Sequence, residues 1–330
     1  MSALAPSLQA WFTDRLSNQL HASPNTVAAY KDSWRLLLGY LQRRSGKQPS
    51  QLDVADLDPA TISAFLDHLE AERHNCVRTR NARLAAIRSF FRFASLRHPE
   101  HAGMIAQVLA IPTKRTDHPE VSYLNTEEIA ALVDAPDPQT WTGRRDRALI
   151  DLAVQTGLRV SELTGLRNSD IDLGAGAHVR CRGKGRRARC TPLTKQTVAV
   201  LRTWSREHQA GPDEPLFPSQ RGGHLSRGGV AERVAKHAVT AAKTCPSIAA
   251  KKPTPHVLRH ACAMELLRSG VDVATIALWL GHQSLDTTMR SYLHSDMSIK
   301  EKALARTAPP HTRPGRYHPP DRLLAFLHDL

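Results

Sequence analysis

Aromatic side chains make up only 5% of this 330-residue sequence, too few for a broad platform on which nucleic-acid bases could stack. Its five cysteines (Cys76, Cys181, Cys190, Cys245 and Cys262) are odd in number and nowhere spaced CxxC. That argues against a zinc ribbon and against a disulfide framework. Cys181 and Cys190 fall where a hairpin could set them face to face, but reduced thiols fit the scatter better. No apolar run approaches the roughly 18 residues a membrane helix needs. The opening MSALAPSLQAWFTDRL has no basic segment followed by a long apolar stretch, so no signal peptide is expected. The chain reads as soluble and cytoplasmic, without a membrane partner.

Acidic residues are also short relative to basic ones. Lys and Arg number 45 against 31 Asp and Glu, a formal charge of +14. An excess of that size points to a polyanionic partner, nucleic acid before membrane, although a basic enzyme of another kind is compatible with it. The apolar content of 41% is that of an ordinary globular protein. At roughly 150 residues per domain, the length suggests two domains.

The first third reads as helices. Ser23 and Pro24 form a start signal, after which Val27, Tyr30, Trp34, Leu37, Leu38 and Leu41 recur at helical spacing. Asp58-Pro59 opens a second helix burying Ile62, Phe65, Leu66 and Leu69. A third carries Leu84, Ile87, Phe90, Phe91 and Ala94 on one face, with Arg78, Arg80, Arg83, Arg88, Arg92 and Arg97 assigned to the other. Arginines on one side of a helix are commonly a solvated face. Six with hardly an acid among them suggest phosphate contacts, here expected of Arg78, Arg80, Arg83 and Arg88. A polar, proline-containing stretch at 111–119 then looks like a linker.

The second part opens with a helix capped by Asn125 or Thr126, followed by one from about Gly143 to Thr156 that ends at Gly157. Over 177–193 the period changes to that of a β-hairpin with a KGRR turn. A helix begins at Thr254-Pro255 and stops at Gly270; Asp272 caps the next, which stops at Gly281. The expected fold is therefore mainly α with a small antiparallel β-sheet, an α+β catalytic domain preceded by a helical bundle. The expected boundaries are 1–112, a linker at 113–119, 120–308, and a proline-rich tail at 309–330 whose apolar-faced helix is suited to docking on a neighbouring subunit.

Three segments carry residues suited to a phosphodiester. In TGLRVSEL, Arg159 follows a helix-ending glycine, with Glu162 near enough to orient it. A guanidinium fork can donate two hydrogen bonds to a phosphate, but a surface arginine in an ion pair fits equally well. In the turn Arg182-Gly183-Lys184-Gly185-Arg186-Arg187, the lysine is either an electrostatic anchor or a proton donor to a leaving oxygen. In HVLRH, His256 and Arg259 lie three apart and share a helix face; His282 and Tyr292 follow. His256, His260 and Cys262 also suggest helical metal spacing, but the HExxH glutamate is missing and Arg259 would crowd a cation, so no metal is expected.

Taken together, these residues resemble the tyrosine recombinase family of phage integrases, Xer-type recombinases and transposon-borne integrases. The likeness runs over about residues 10–305. SPNTVAAYKDSWRLLLGYL and TRNARLAAIRSFFRF resemble its helical core-binding domain. The resemblance implies that Arg159, Lys184, His256, Arg259, His282 and Tyr292 are catalytic, with Glu162 in support and Arg182, Arg186 and Arg187 at the DNA. It also implies strand cleavage through a covalent 3′-phosphotyrosine, no cofactor, and a homo- or hetero-tetramer on two double-stranded recombination sites, with other recombinases as possible co-members. One departure stands out: the family usually sets its tyrosine one residue nearer the LGH histidine than Tyr292 lies here. A relaxing enzyme of the type IB topoisomerase kind and a DNA-binding relative without catalysis are the alternatives.

Overall fold

The computed structural model describes residues 3–116, 123–182 and 188–281. The chain forms two compact units, Met1–Pro119 and Glu120–Leu330.

The described residues of the first unit are mainly helical. α1 (Leu4–Ala10) runs straight into a π-helical stretch, Trp11–Gln19, and is followed by α2 (Pro24–Ser45), α3 (Pro59–Ala71), α4 (Val77–Ala94) and α5 (Ala102–Ala110). The expected start signals act as caps: Ser23 accepts the Thr26 N–H and Asp58 that of Thr61, each with proline in the first turn. The helical stripes read from the sequence meet in one core, in which Trp34, Leu37, Phe65, Leu66, Ile87, Phe90 and Phe91 are essentially sealed from solvent. Each such side chain contributes about 1.5–3 kcal/mol by leaving water. The scarce aromatics are concentrated here: Trp34 meets Phe90 edge-on at 4.7 Å, and Trp11 meets it at 5.8 Å.

The far end of this unit is fastened rather than loose. Arg80 and Arg88 on α4 donate to the carbonyls of Pro112 and Ile111, and Asn81 exchanges hydrogen bonds in both directions with the main chain of Lys114. Lys114 in turn pairs with Glu70 of α3. The stretch from 111 to 114 thus belongs to the helical unit, although composition alone gives it to a linker.

The second unit contains α6 (Thr126–Asp134), α7 (Trp141–Thr156), α8 (Val160–Gly165), strands β1 (Ile171–Asp172), β2 (His178–Arg182) and β3 (Ala188–Pro192), then α9 (Lys195–His208), α10 (Arg227–Ala241), α11 (Ile248–Lys251), α12 (Pro255–Arg268) and α13 (Val273–Leu280). The fold class is the expected one, mainly helical with one antiparallel sheet in the order β1-β2-β3. Asn125, not Thr126, caps α6, in a capping box with Glu128. α7 starts two residues earlier than the sequence suggests, because Thr140 caps it. The register sets Cys181 opposite Arg189 and Cys190 opposite Arg180, so the two strand cysteines are offset by one position and remain free. Val179, Cys181, Arg189 and Thr191 consequently face inward together, while Arg180 and Cys190 face out.

α7 is buried along most of its length. Its Arg145 is wholly enclosed, donating to Asp146 and to the Pro218 carbonyl, while the other oxygen of Asp146 meets His237 of α10 at 2.9 Å. This paired network ties α7 to α10 and to the loop before it. Buried charges survive only when paired in this way.

Candidate active site

Two glycines fix the ground plan. Gly157 ends α7 and Gly281 ends α13, each in the left-handed region with φ of +62° and +65°. A side chain at either position would have to displace a neighbouring one. A Cβ on Gly157 would lie 2.6 Å from Leu280 Cδ2, and one on Gly281 would lie 2.7 Å from a terminal nitrogen of Arg189. The end of α7 thus lies against the Leu280 side chain at the end of α13, and the arginines gather around them.

Arg259, on α12, is buried and bridges the two ends: it donates to the Gly157 carbonyl at 2.6 Å and to the Leu280 carbonyl at 2.7 Å. Arg159, in the N-cap position of α8, donates to the next carbonyl, Gly281, at 2.9 Å. Two guanidinium groups thus hold consecutive carbonyls at the C-terminus of α13, where the helix dipole and unpaired carbonyls favour cations. Arg259 is enclosed, whereas the Arg159 side chain is 33% exposed.

Glu162, one turn into α8, is the anionic centre. Its carboxylate accepts the Arg159 main-chain N–H at 2.8 Å and the Arg159 guanidinium at 2.9 Å. It also accepts a two-pronged pair from Arg189 of β3, at 3.0 and 2.8 Å. Burial pushes this carboxyl up, but the hydrogen bonds from Arg189 and the Arg159 backbone, with both positive charges, hold it below the ordinary carboxylate range. The expected Arg159–Glu162 contact is present. Arg189 is the participant that reading the sequence missed, because only the hairpin register shows that it points inward.

His256 sits in the first turn of α12, exposed, with its ring edge against His260 at 4.6 Å between centroids. Desolvation, then the charge of Arg259, lowers its pKa, so it is neutral at physiological pH and able to accept a proton. His260 is more enclosed: burial, His256 and Arg259 take it down to about 4. Cys262 lies against Gly157, its thiol pushed up to about 12 by burial, which keeps it unreactive. Among the described residues, no group of three or more His, Cys, Asp or Glu is arranged to hold a metal ion.

The structure thus brings Arg159, Glu162 and Arg259 together around the end of α13, with His256 one helical turn from Arg259. Lys184, His282 and Tyr292 lie outside the described residues, as do Arg186, Arg187 and the Arg182 side chain. The α4 arginines need a correction. Arg80 is buried, pairing with Glu70 and the Pro112 carbonyl, and has no surface to offer a phosphate. Arg83 and Arg88 are half-buried, donating to Ala29 and Ser33 and to Ile111, respectively. Arg78 is exposed. No helix among the described residues is long and apolar enough to cross a membrane.

Both units of the chain resemble known proteins. Residues 122–298 match the phage integrase family, and residues 10–98 match that family's N-terminal SAM-like domain. A protein of Sinorhizobium fredii described as integrase/recombinase y4rC is 50% identical over 329 residues, covering 100% of this chain and 99% of its own length. Tyrosine recombinase XerC of Pelobacter propionicus is 33% identical over 317 residues, 94% of this chain and 99% of the relative. Among solved structures, XerH site-specific recombinase bound to palindromic difH substrate aligns with a TM-score of 0.69 at 20% identity, over 87% of this chain and 82% of that one. The Tn1549 transposon integrase in complex with transposon right-end DNA aligns with a TM-score of 0.68 at 15% identity, over 91% and 98%. At those identities the structural likeness speaks for the fold, and the end-to-end sequence relatives speak for the activity. With both units matched, this chain belongs to the phage integrase family of tyrosine recombinases, and its enzymatic activity is site-specific DNA recombination.

Proposed function

We propose that the chain breaks and rejoins duplex DNA through a covalent 3′-phosphotyrosine at Tyr292, in the cytoplasm and in the service of a mobile element. The observation that carries this reading is the pair Arg159 and Arg259, fixed on consecutive carbonyls at the point where the chain leads on to His282 and Tyr292. In this scheme the Tyr292 phenolic oxygen attacks the scissile phosphorus in line, and the bond from phosphorus to the 5′-oxygen breaks. His256 takes the phenolic proton and Lys184 gives one to the departing oxygen. Arg159, Arg259 and His282 offset the charge of the pentavalent transition state. One phosphodiester replaces another, so the energy of the broken linkage is retained, and a 5′-hydroxyl of a second strand reverses the attack.

Arg182, Arg186 and Arg187 of the hairpin and the exposed Arg78 would contact backbone phosphates. Four protomers, alike or mixed with a related recombinase, would act on two sites, with the 309–330 tail docked on a neighbour. In support of that docking, the second unit has a largely apolar cavity of about 490 Å³ beside Ile129, Val133, Val154, Leu266 and Trp279. Deleting 309–330 should spare DNA binding and impair recombination.

The deciding experiment traps the intermediate. A nicked suicide duplex, carrying the binding site selected from a random-sequence library, should accumulate a protein–DNA adduct that Tyr292→Phe abolishes. An undiminished adduct with Tyr292→Phe, or none with the natural chain, would overturn the proposal. Relaxation of plasmids lacking that site would point instead to a topoisomerase-like activity.

A further inference from the structure

Glu162 poses an electrostatic problem that its surroundings answer. A carboxylate 2.9 Å from the guanidinium of Arg159 orients it but also cancels its charge, and charge is what a scissile phosphate needs. Arg189 removes the conflict. Its two terminal nitrogens each reach one oxygen of Glu162, its side chain is only 13% exposed, and it is packed beneath Gly281. The three groups together carry a net +1 rather than zero. Burial tends to drive the Arg189 charge off, but Glu162 holds it on.

We propose that Arg189 is a positioning residue for the recombination reaction, acting through Glu162. It locks the carboxylate in the orientation that aims Arg159, and it balances the carboxylate charge so that the Arg159 cation stays available to the DNA phosphate. Its place in the chain gives the arrangement a second consequence. Arg189 is the second residue of β3, five positions after Lys184, so the strand leaving the hairpin turn is tied to the same carboxylate as Arg159. The hairpin and the head of α8 are thereby registered on one anion. This inference rests on the catalytic role proposed for Arg159, and the experiment separates the two.

Single-turnover cleavage of the nicked suicide duplex described above would be measured for R159M, R189Q, R189K, E162Q and E162Q/R189Q, each after a thermal melt and a DNA-affinity measurement. R159M should abolish cleavage; if it does not, the reading of Arg159 fails, whatever the other variants show. With Arg159 upheld, R189Q should cleave about 10–100-fold more slowly while binding DNA within about threefold of the natural chain. R189K keeps the cation but not the fork, and should fall between them. The double variant carries the sharpest test, since removing two buried charges together leaves neither unpaired. If Arg189 acts through Glu162, E162Q/R189Q should cleave within about threefold of E162Q alone. A natural cleavage rate in R189Q, or a further tenfold loss from E162Q to E162Q/R189Q, would overturn the proposal. Should R189Q fail to melt cooperatively, the comparison of E162Q with E162Q/R189Q decides.

Discussion

Arg80 on α4 and Arg159 at the head of α8 both donate to main-chain carbonyls and both pair with a glutamate, yet one is buried and the other is a third exposed. Arg80 braces the end of its own unit. Its charge is set against Glu70 and the Pro112 carbonyl, away from solvent. Arg159 is held by the Gly281 carbonyl and by Glu162, and, as with Glu70, that carboxylate is shared with a second cation. What differs is that a third of the Arg159 side chain stays at the surface. An arginine's chemistry in this molecule is decided less by what it binds than by whether its guanidinium is left at the surface.

The largest expected effect tests the site side of this comparison. Arg259→Met would remove a donor from the reaction and leave the Gly157 and Leu280 carbonyls unpaired in the interior. Cleavage should fall by about 10²–10³, read on the suicide duplex, with a loss of stability of roughly 1–3 kcal/mol read by denaturant titration. Intact cleavage would reduce Arg259 to a brace like Arg80.

Next in size is the pH response of the α12 histidines. His260, at about 4 in the folded chain against an ordinary value near 6.5, binds fewer protons folded than unfolded between those limits. Its contribution to stability is therefore whole above pH 6.5, is lost as pH falls towards 4, and is level below that; the full swing is on the order of 3 kcal/mol. His260→Asn should flatten this part of the stability profile, measured from pH 7 to 4, and an unchanged slope would contradict the burial argument.

Arg80→Met sharpens the other side. It should cost about 1–3 kcal/mol and raise amide exchange around 111–114, while leaving the salt dependence of DNA binding unchanged. Arg78→Ala should do the reverse, with stability unaltered and the slope of log affinity against log salt reduced by about 0.9. A reduced slope in Arg80→Met would break the comparison.

The punctuation of this fold was open to reading from residue types alone. Ser23, Asp58, Thr254 and Asp272 cap where their side chains can reach a free N–H, and Gly157 and Gly281 end helices that need a positive φ. The fate of Arg80 was present but misjudged: it lies four and seven residues before Leu84 and Ile87, on the apolar stripe itself. The bond from Arg189 to Glu162 joins positions 27 residues apart through a strand register that no local pattern states. The π-helical stretch Trp11–Gln19, whose Trp11 and Leu16 enter the core, likewise had no local signal.

The hold of Arg159 and Arg259 on adjacent carbonyls also serves as a fixed origin for measuring the chain. The carbonyls of Leu280 and Gly281 are pinned from two elements at once, the first by Arg259 of α12 and the second by Arg159 at the head of α8. The one-residue surplus between His282 and Tyr292 therefore cannot be shared with α13 by sliding that helix back, because such a shift would break both guanidinium contacts. On the mechanism proposed above, the spacing to Tyr292 can therefore change without disturbing the contacts of Arg159 and Arg259.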